Sequence, residues 1–327
     1  MIIDFHTHFY TQAYLNELER GSARAQLVRA QDGTQRIQLD GDYSLIDPAH
    51  VQVAPILAVM AQHQVTHQLL TFSIPGLQVE EPAQGVRLAQ LVNDEFAAVV
   101  QQHPTQLSAL AALPLQDPTA ATMELDRAVT QLGLRGGQLF SNINGNTLDD
   151  KVFWPLYARA AELDVPLFIH PISPPYIENM RNYRMAPMMG FMFDTALAAA
   201  HLVFSGVMQS FPKLKIVLGN LGGAIPYLAG RMDRAFAAYP ESQGVLAQAP
   251  SVYLKRMYYE SAGMPDAGAL QLALDFAGVD QMMFGSDFPQ QIGDVPSSIA
   301  LIQSLPLAPD AKAKVLGGNA AKLLHLP

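Results

Sequence analysis

The chain has 327 residues, of which 50% are hydrophobic and 15% are charged. This balance excludes an intrinsically disordered protein, which needs low hydrophobicity and high charge. The 29 acidic residues outnumber the 20 basic ones, so the net charge is −9 and no nucleic-acid partner is expected, because phosphate binding needs a basic face. The absence of cysteine excludes disulfides and cysteine-ligated zinc, so any metal must be held by histidine, carboxylate or carbonyl groups.

The N-terminal residues MIIDFH show neither the basic nor the apolar region of a signal peptide. No apolar run of the roughly 18–20 residues needed to cross a bilayer is evident in the sequence. We therefore expect a cytoplasmic protein without a membrane partner.

Short apolar segments typical of strands alternate with helical patterns along nearly the whole chain. The predicted strands lie at residues 1–5, 66–72, 106–113, 134–140, 165–170, 215–219, 251–262 and 281–285. The predicted helices lie at residues 53–64, 81–102, 118–132, 151–163, 191–211, 221–239, 266–277 and 296–326. Such alternation predicts a parallel sheet with right-handed crossovers. Eight units without a GxGxxG fingerprint favour a closed (β/α)8 TIM barrel over an open dinucleotide-binding sheet.

Two long segments do not fit the simple alternation. Residues 11–50 are polar and too long for an ordinary connection, so we predict an insertion after the first strand with structure of its own. Residues 171–190, rich in proline, methionine and aromatics, are predicted to be irregular. No break in composition divides the chain, so we expect one barrel domain, 1–327, with 11–50 as a small subdomain within it.

Four potential metal ligands follow the C-terminal ends of predicted strands, where barrels place functional residues. His6 and His8 follow the first strand, and their spacing points both side chains to one side of an extended segment. His170 ends the fifth strand and Asp287 follows the eighth. Singly, each has a common alternative as a packed or hydrogen-bonded core residue. Their joint placement predicts a site for zinc, or for another divalent metal such as manganese.

The other histidines have no such placement. We expect them to pack in the core or lie on the surface, because they fall in helices, in connections or at the start of a strand: His50, His63, His67, His103, His201 and His325.

Several longer motifs carry a resemblance to a known family. They are IDFHTH (Ile3–His8), LDVPLFIHP (163–171), LVFSGVMQSFPKLKIVLG (202–219), GGAIPYLAGRMD (222–233), FGSDFP (284–289) and GNAAKLL (318–324). With these motifs the chain resembles the amidohydrolase superfamily, in the branch of aminocarboxymuconate semialdehyde decarboxylase and related non-oxidative decarboxylases. The resemblance covers nearly the whole chain and implies a distorted (β/α)8 barrel with one zinc on the same four ligands. No lysine ends a middle strand, which favours a mononuclear site.

The chain departs from the family pattern at Asn220, where relatives usually carry the histidine that deprotonates or orients a metal-bound water. Asparagine can hold water or substrate but cannot take a proton near neutral pH. The resemblance assigns Arg231 to the substrate carboxylate, in some members across a dimer interface. A structural salt bridge of Arg231 with Asp233 or another acid is the alternative.

The segment at 171–190 follows a ligand strand and should overhang the pocket. Tyr176, Arg181 and Arg184 are its candidate substrate contacts, with a surface lid that touches no substrate as the alternative. Glu260, where relatives often carry aspartate, is expected to hydrogen-bond a ligand histidine.

The resemblance implies a metal-dependent decarboxylase of a small aromatic or unsaturated carboxylic acid, assembled as a homodimer. Asp287 is the candidate proton donor to the carbon that loses CO2. The alternatives are a metal-dependent hydrolase or hydratase of the same fold, and a catalytically weakened binding protein, which Asn220 would explain.

Overall fold

A computed structural model describes residues 1–21, 23–39, 42–263 and 266–326. Its strands are β1 (Ile3–His8), β2 (Gln26–Arg29), β3 (Gln35–Leu39), β4 (Asp42–Ile46), β5 (His67–Thr71), β6 (Leu107–Ala109), β7 (Ala111–Ala112), β8 (Gly137–Phe140), β9 (Pro166–His170), β10 (Lys215–Leu218), β11 (Tyr258–Glu260) and β12 (Met282–Met283).

The helices follow the strands in alternation. They are α1 (Gln12–Glu19), α2 (Val53–His63), α3 (Pro82–Gln102), α4 (Pro118–Thr130), α5 (Trp154–Glu162), α6 (Phe191–Phe204), α7 (Val207–Ser210), α8 (Ile225–Ala238), α9 (Pro240–Gln243), α10 (Pro250–Leu254), α11 (Ala267–Ala277), α12 (Val295–Ser304), α13 (Pro309–Ala313) and α14 (Asn319–Leu323). Short 3-10 turns lie at Pro48–His50, Lys151–Phe153, Ile177–Met180, Asn182–Arg184, Asn220–Gly222 and Val279–Gln281, and π-helical turns at Ala186–Gly190 and Lys314–Gly318.

The strands form a closed parallel barrel. β1, β5 and β6 pair in that order, and β7 to β12 pair in sequence order. β6 and β7 occupy one barrel position, because only Leu110 separates them and its N–H still bonds β5. The seam closes where Phe5 N–H donates to Phe284 O at 2.9 Å and His8 N–H to Phe288 O at 2.7 Å. The predicted (β/α)8 barrel is confirmed.

Two apolar clusters fill the structure. A small cluster inside the barrel includes Phe5, Leu69, Phe168, Val217 and Met283, all buried. A larger cluster lies between the barrel and its helices. Strands buried on both faces explain why the strand segments read as apolar runs rather than alternating patterns.

The polar segment at 11–50 holds α1 and a separate antiparallel sheet in the order β2–β3–β4. Thr11 caps α1, since its side chain accepts a hydrogen bond from Tyr14 N–H. Ile37 of β3 is buried and packs into the large core, which ties this small sheet to the barrel.

The predicted strand at 251–262 is wrong in its first half. Pro250 begins α10, and the strand β11 is confined to Tyr258–Glu260. The β-branched and aromatic composition of this segment suggested a strand. Proline at the first helical position and packing of Tyr253 and Leu254 into the core favour a helical turn.

The predicted helix at 191–211 divides into α6 and α7 because Gly206 adopts a φ of +86°. Upstream, the helical stretch Asn182–Phe204 is long and apolar enough to cross a membrane by length and composition alone, with 50% of its apolar window buried. The expectation that no apolar segment reaches this length is therefore wrong here, because short 3-10 and π turns join α6 into one stretch. A buried core helix passes the same test, and the absence of a membrane partner stays a prediction.

Candidate metal centre and active site

Four side chains meet at the C-terminal mouth of the barrel. Strand β1 presents His6 and His8, β9 ends in His170, and Asp287 follows β12. All four residues are buried, and their ligand atoms lie within 4.8 Å of one another. The structure thus brings together the four residues that the sequence places at the C-terminal ends of predicted strands.

Hydrogen bonds set which ring nitrogen faces this cluster. His6 Nδ1 lies 2.9 Å from Glu260 Oε1, and His170 Nδ1 lies 2.6 Å from the carbonyl oxygen of Pro171. The Pro171 carbonyl oxygen can only accept a hydrogen bond, and both Glu260 oxygens accept from backbone N–H groups as well. Each Nδ1 is therefore the donor and carries the proton. Nε2 of both rings is then an unprotonated donor of an electron pair.

His8 follows the same logic more loosely. The Thr71 hydroxyl donates to Thr7 O at 2.8 Å, which leaves its oxygen to accept from His8 Nδ1 at 3.4 Å. All three histidines therefore hold Nδ1 protonated and leave Nε2 for a ligand.

The unprotonated nitrogens converge on a small volume. His6 Nε2 and His8 Nε2 are 3.1 Å apart, and His8 Nε2 is 3.0 Å from Asp287 Oδ1. Facing electron pairs repel unless a cation lies beside them. Three imidazole nitrogens and one carboxylate oxygen are a donor set that fits a divalent metal of the zinc or manganese type.

Electrostatics agree with a ligand role. Burial lowers the pKa of His8 and of His170 well below the usual histidine value, which keeps both rings neutral. Burial acts to lower the pKa of His6, but the carboxylates of Glu260, Asp287 and Asp4 together outweigh it and raise that pKa. Burial raises the pKa of Asp287, because removal from bulk solvent disfavours the charged carboxylate.

Glu260 is fully buried and holds two parts of the site. Its Oε1 accepts from His6 Nδ1 and, at 2.7 Å, from Asn220 N–H, while Oε2 accepts from Ala262 N–H at 2.6 Å. A Cβ at Gly285 would lie 2.1 Å from Oε2, so the glycine of the FGSDFP motif makes room for this carboxylate.

Asn220 lies beside the cluster in a left-handed conformation (φ 53°) that asparagine tolerates better than most residues. Its Nδ2 donates to the carbonyl oxygen of Ala262 at 2.9 Å, which fixes the orientation of the amide. The amide oxygen is buried, and no group in the described ranges donates to it. The side chain therefore carries an unpartnered acceptor at the edge of the site, and it has no group that can act as a base.

A cavity of about 380 Å³, here called the metal cavity, opens above the ligands. Besides the four ligands, its wall includes Tyr43, Ser44, Leu45, Ile74, Arg184, Met188, Met192, Asn220, Gly263, Gln290 and Ile292. Arg184 is the one arginine or lysine among the described residues of this wall. Its guanidinium lies 4.2 Å from the centre of the Tyr43 ring and donates to Tyr43 O at 3.3 Å.

Comparison with known proteins places the chain in a family. The amidohydrolase family model matches residues 3–326. The chain belongs to the amidohydrolase family. Among curated amidohydrolase relatives, the chain is 32% identical over 249 residues to the 2-amino-3-carboxymuconate-6-semialdehyde decarboxylase of Dictyostelium discoideum, covering 75% of this chain and 68% of that one.

Two further similarities cover almost the whole chain. The 6-methylsalicylic acid decarboxylase of Penicillium expansum is 27% identical over 98% of this chain and 95% of its own. The crystal structure of 5-carboxyvanillate decarboxylase from Sphingomonas paucimobilis superposes with a TM-score of 0.87 at 27% identity, covering 100% of this chain and 99% of that one. The resemblance to amidohydrolase decarboxylases is therefore confirmed.

The structure does not bring every candidate of this amidohydrolase to the metal cavity. Arg231 is exposed on α8 and lines neither cavity, because Ile225 and Ala229 form the buried stripe of that helix and Arg231 lies on the opposite side. The alternative ion pair is also not formed within the described chain, where Asp233 instead accepts from Ser251 N–H and Oγ–H. The substrate-binding role of Arg231 stays a prediction.

The three candidate substrate contacts in the segment at 171–190 lie in different places. Arg184 reaches the metal cavity, whereas Arg181 lines a second cavity and pairs with Glu178 at 2.6 Å. Tyr176 is exposed and lines neither cavity.

Sequence reasoning missed Tyr43, Ser44 and Gln290. Gln290 directly follows the FGSDFP motif, and its Nε2 donates to Ser73 Oγ at 3.0 Å, so its position after a ligand could have indicated it. Tyr43 and Ser44 lie on β4. No local sequence pattern indicates that this strand lies against the barrel mouth.

Proposed function

We propose that this amidohydrolase is a metal-dependent decarboxylase that removes CO2 non-oxidatively from a small aromatic carboxylic acid. The observation that carries the proposal is the convergence of three Nε2 atoms and one carboxylate oxygen in a cavity that contains a single arginine. The decarboxylase names of relatives over most of the chain support it.

His6, His8, His170 and Asp287 would hold the metal, which when bound supplies Lewis-acid stabilisation for the oxygens of the acid. Arg184 supplies a second positive charge that suits a carboxylate or phenolate. Its stacking on Tyr43 limits the directions in which the guanidinium can point.

Asp287 is the proposed proton donor. Its Oδ1 faces His8, whereas Oδ2 lies on the side of Gly263, where an added Cβ would be 3.9 Å away. In the reaction a proton delivered through Asp287 adds to the ring carbon that bears the carboxylate, and two π-electrons of the ring form this C–H bond. The bond from that carbon to the carboxylate then breaks, its electron pair restores the aromatic ring, and CO2 departs.

Asn220 argues against the hydrolase or hydratase alternative. Hydrolysis needs a group that removes a proton from the attacking water, and an amide cannot do this near neutral pH. In decarboxylation the charge spreads into the ring of the acid, so a base at this position is dispensable. The proposed role of Asn220 is to accept a hydrogen bond from the occupant of the cavity.

Zinc is the proposed metal, with manganese as the second choice, because nitrogen-rich sites with one carboxylate bind zinc well. Inductively coupled plasma mass spectrometry of protein purified without added metal or chelator should find about one zinc per chain. A chain that carries no metal and takes up none on titration contradicts the site.

The test of the activity is CO2 release from a panel of hydroxylated benzoic acids, performed in D2O. We expect one deuterium at the carbon that lost CO2, and we expect Asp287→Asn to abolish turnover while the protein stays folded. Retained turnover in this variant contradicts the role of Asp287. Hydrolysis of lactones or amides without CO2 release contradicts the decarboxylase proposal as a whole.

A homodimer is proposed as the assembled form. Exposed apolar side chains cluster at Tyr183, Met188, Met189, Phe193 and Leu197, and such patches on soluble proteins mark contact surfaces. Light scattering after size-exclusion chromatography should give twice the mass of 35.6 kDa, and Phe193→Asp should shift it to the monomer. A wild-type monomer contradicts this proposal. The cytoplasmic location stays a prediction.

A further inference from the structure

A second cavity of about 400 Å³ lies beside the metal cavity and is here called the side cavity. We infer that the side cavity receives an apolar substituent of the acid whose carboxylate binds in the metal cavity. The preferred substrate is then longer than a single ring. This inference rests on the proposed function, because it assumes that a carboxylic acid occupies the metal cavity.

The two cavities adjoin at a shared wall. Tyr43 and Ser44 of β4, together with Ile74 after β5, line both of them. The far end of an acid held at the metal ligands therefore lies on the same side chains that line the side cavity.

The walls of the side cavity are mostly apolar. They come from three separate parts of the chain, with Ile37 and Leu39 from β3, Pro75 and Val79 from the segment after β5, and Ile172, Pro174, Pro175 and Ile177 from the segment after β9. The described residues that line it include no aspartate, glutamate or histidine. The side cavity therefore lacks the groups that would hold a metal or perform acid–base chemistry.

Most polar groups of this wall are already engaged with protein. Asn142 Nδ2 donates to Asp194 Oδ2 at 2.8 Å, and its Oδ1 accepts from Gly145 N–H at 2.9 Å. Arg181 pairs with Glu178. Gln78 Oε1 is an exception, because it is a buried acceptor to which no group in the described ranges donates. The satisfied polar groups offer little to a charged ligand, so the apolar residues set the character of this wall.

Charge and size together define the occupant. A divalent metal on its four ligands would form a cationic end together with Arg184, and the side cavity forms an apolar end. An apolar cavity of about 150 Å³ holds benzene, so the side cavity has room for a substituent larger than a phenyl ring. Its ligand class is an aromatic acid with an alkyl or aryl extension.

The test measures binding, so that it is independent of CO2 release. Calorimetry on zinc-loaded protein compares benzoate with its 3- and 4-n-alkyl derivatives, from ethyl to hexyl. We expect affinity to rise about fourfold for each of the first methylenes in at least one series, the value for full burial of a methylene.

Two variants fill the side cavity from opposite walls, Val79→Trp and Ile177→Trp. Each should remove at least about tenfold of the butyl gain while benzoate affinity stays within about twofold. Val152→Trp is the matched control, since Val152 is exposed and lines neither cavity, and it should keep the full gain. Having two variants guards against one that fails to fold.

The outcomes separate this inference from the proposed function. Benzoate binding with a flat alkyl series overturns the side-cavity inference and leaves the decarboxylase proposal intact. A chain-length gain that both tryptophan variants retain also overturns it. A gain that the variants remove supports the inference even if no acid releases CO2. If no acid binds at all, both proposals are overturned.

Discussion

The strand ends and the two long connecting segments contribute differently to this site. His6, His8, His170 and Asp287 project from strand ends and are buried. Hydrogen bonds to Glu260, Thr71 and the carbonyl oxygen of Pro171 hold the three histidine rings. The segments at 11–50 and 171–190 contribute the outer walls, where Arg184 is exposed and rests on a ring from the other segment. Under the proposed function, the chemistry lies on the rigid part of the fold and substrate recognition on the connecting segments.

The largest effect on metal binding and activity should come from removing a metal ligand at a strand end. His170→Ala removes a ligand that no neighbouring group can replace. Loss of a residue that only hydrogen-bonds a ligand lowers metal affinity by up to roughly 100-fold, so we expect a larger fall in this variant. Decarboxylation should fall with it. Metal content by mass spectrometry checks this, with His103→Ala as a control away from the cluster. Full metal content in His170→Ala contradicts the ligand assignment.

Replacing Glu260, which hydrogen-bonds a metal ligand, should lower metal affinity less than replacing a ligand. Glu260→Gln keeps the shape but weakens the acceptor for His6 Nδ1, and we expect metal affinity to fall about 10- to 100-fold. Competition with a chelator measures this. Glu124→Gln is the matched control, because Glu124 is equally buried but bonds Asn93 and Arg127 far from the cluster. Equal affinities in the two variants would show that Glu260 is only structural.

The recognition segments should affect substrate binding without affecting the metal. Arg184→Met removes the one cationic side chain of the metal-cavity wall, and we expect KM for a compact acid to rise about tenfold, as for loss of a charge-assisted hydrogen bond. Metal content should be unchanged. Arg181→Met changes only the side cavity and should leave KM for a compact acid within about twofold. An Arg184→Met enzyme with unchanged KM contradicts this division.

The smallest effect concerns the junction of the insertion with the barrel. His50 Nδ1 accepts from Asp47 N–H at 3.0 Å, and burial lowers the pKa of His50 to about 4. The unfolded chain therefore takes up this proton first as pH falls below about 6.5, so stability is present above that pH and declines towards pH 4.

We expect His50 to account for about 1 kcal/mol of the stability lost between pH 7 and pH 5.5. Urea unfolding of wild type and His50→Gln at the two pH values measures this, and the variant should lose less on acidification. His63→Gln is the control at a half-buried position on the last turn of α2. Identical pH dependence in wild type and His50→Gln contradicts the burial argument.

One element of the sequence was wrongly predicted. The stretch at 251–262 reads as a strand in isolation, but packing of Tyr253 and Leu254 makes its first half helical. The contacts that decide this outcome come from distant parts of the chain. Arg231 lies on the solvent side of α8, and its role towards a substrate, which some relatives reach across a dimer interface, stays a prediction.

The barrel and the four ligand positions follow from the sequence itself, because apolar strand segments, alternation with helices and polar residues just after strands are all local patterns. Only the tertiary structure shows that the three Nδ1 atoms are held and the three Nε2 atoms converge, since Glu260 and Thr71 reach the histidines from β11 and β5, which are far from β1 in the sequence. The same holds for the two cavities. Their walls combine residues of β3 and β4 with residues of the segment after β9. These segments are more than a hundred residues apart, and their packing against one another leaves no periodic signal in the sequence of either segment.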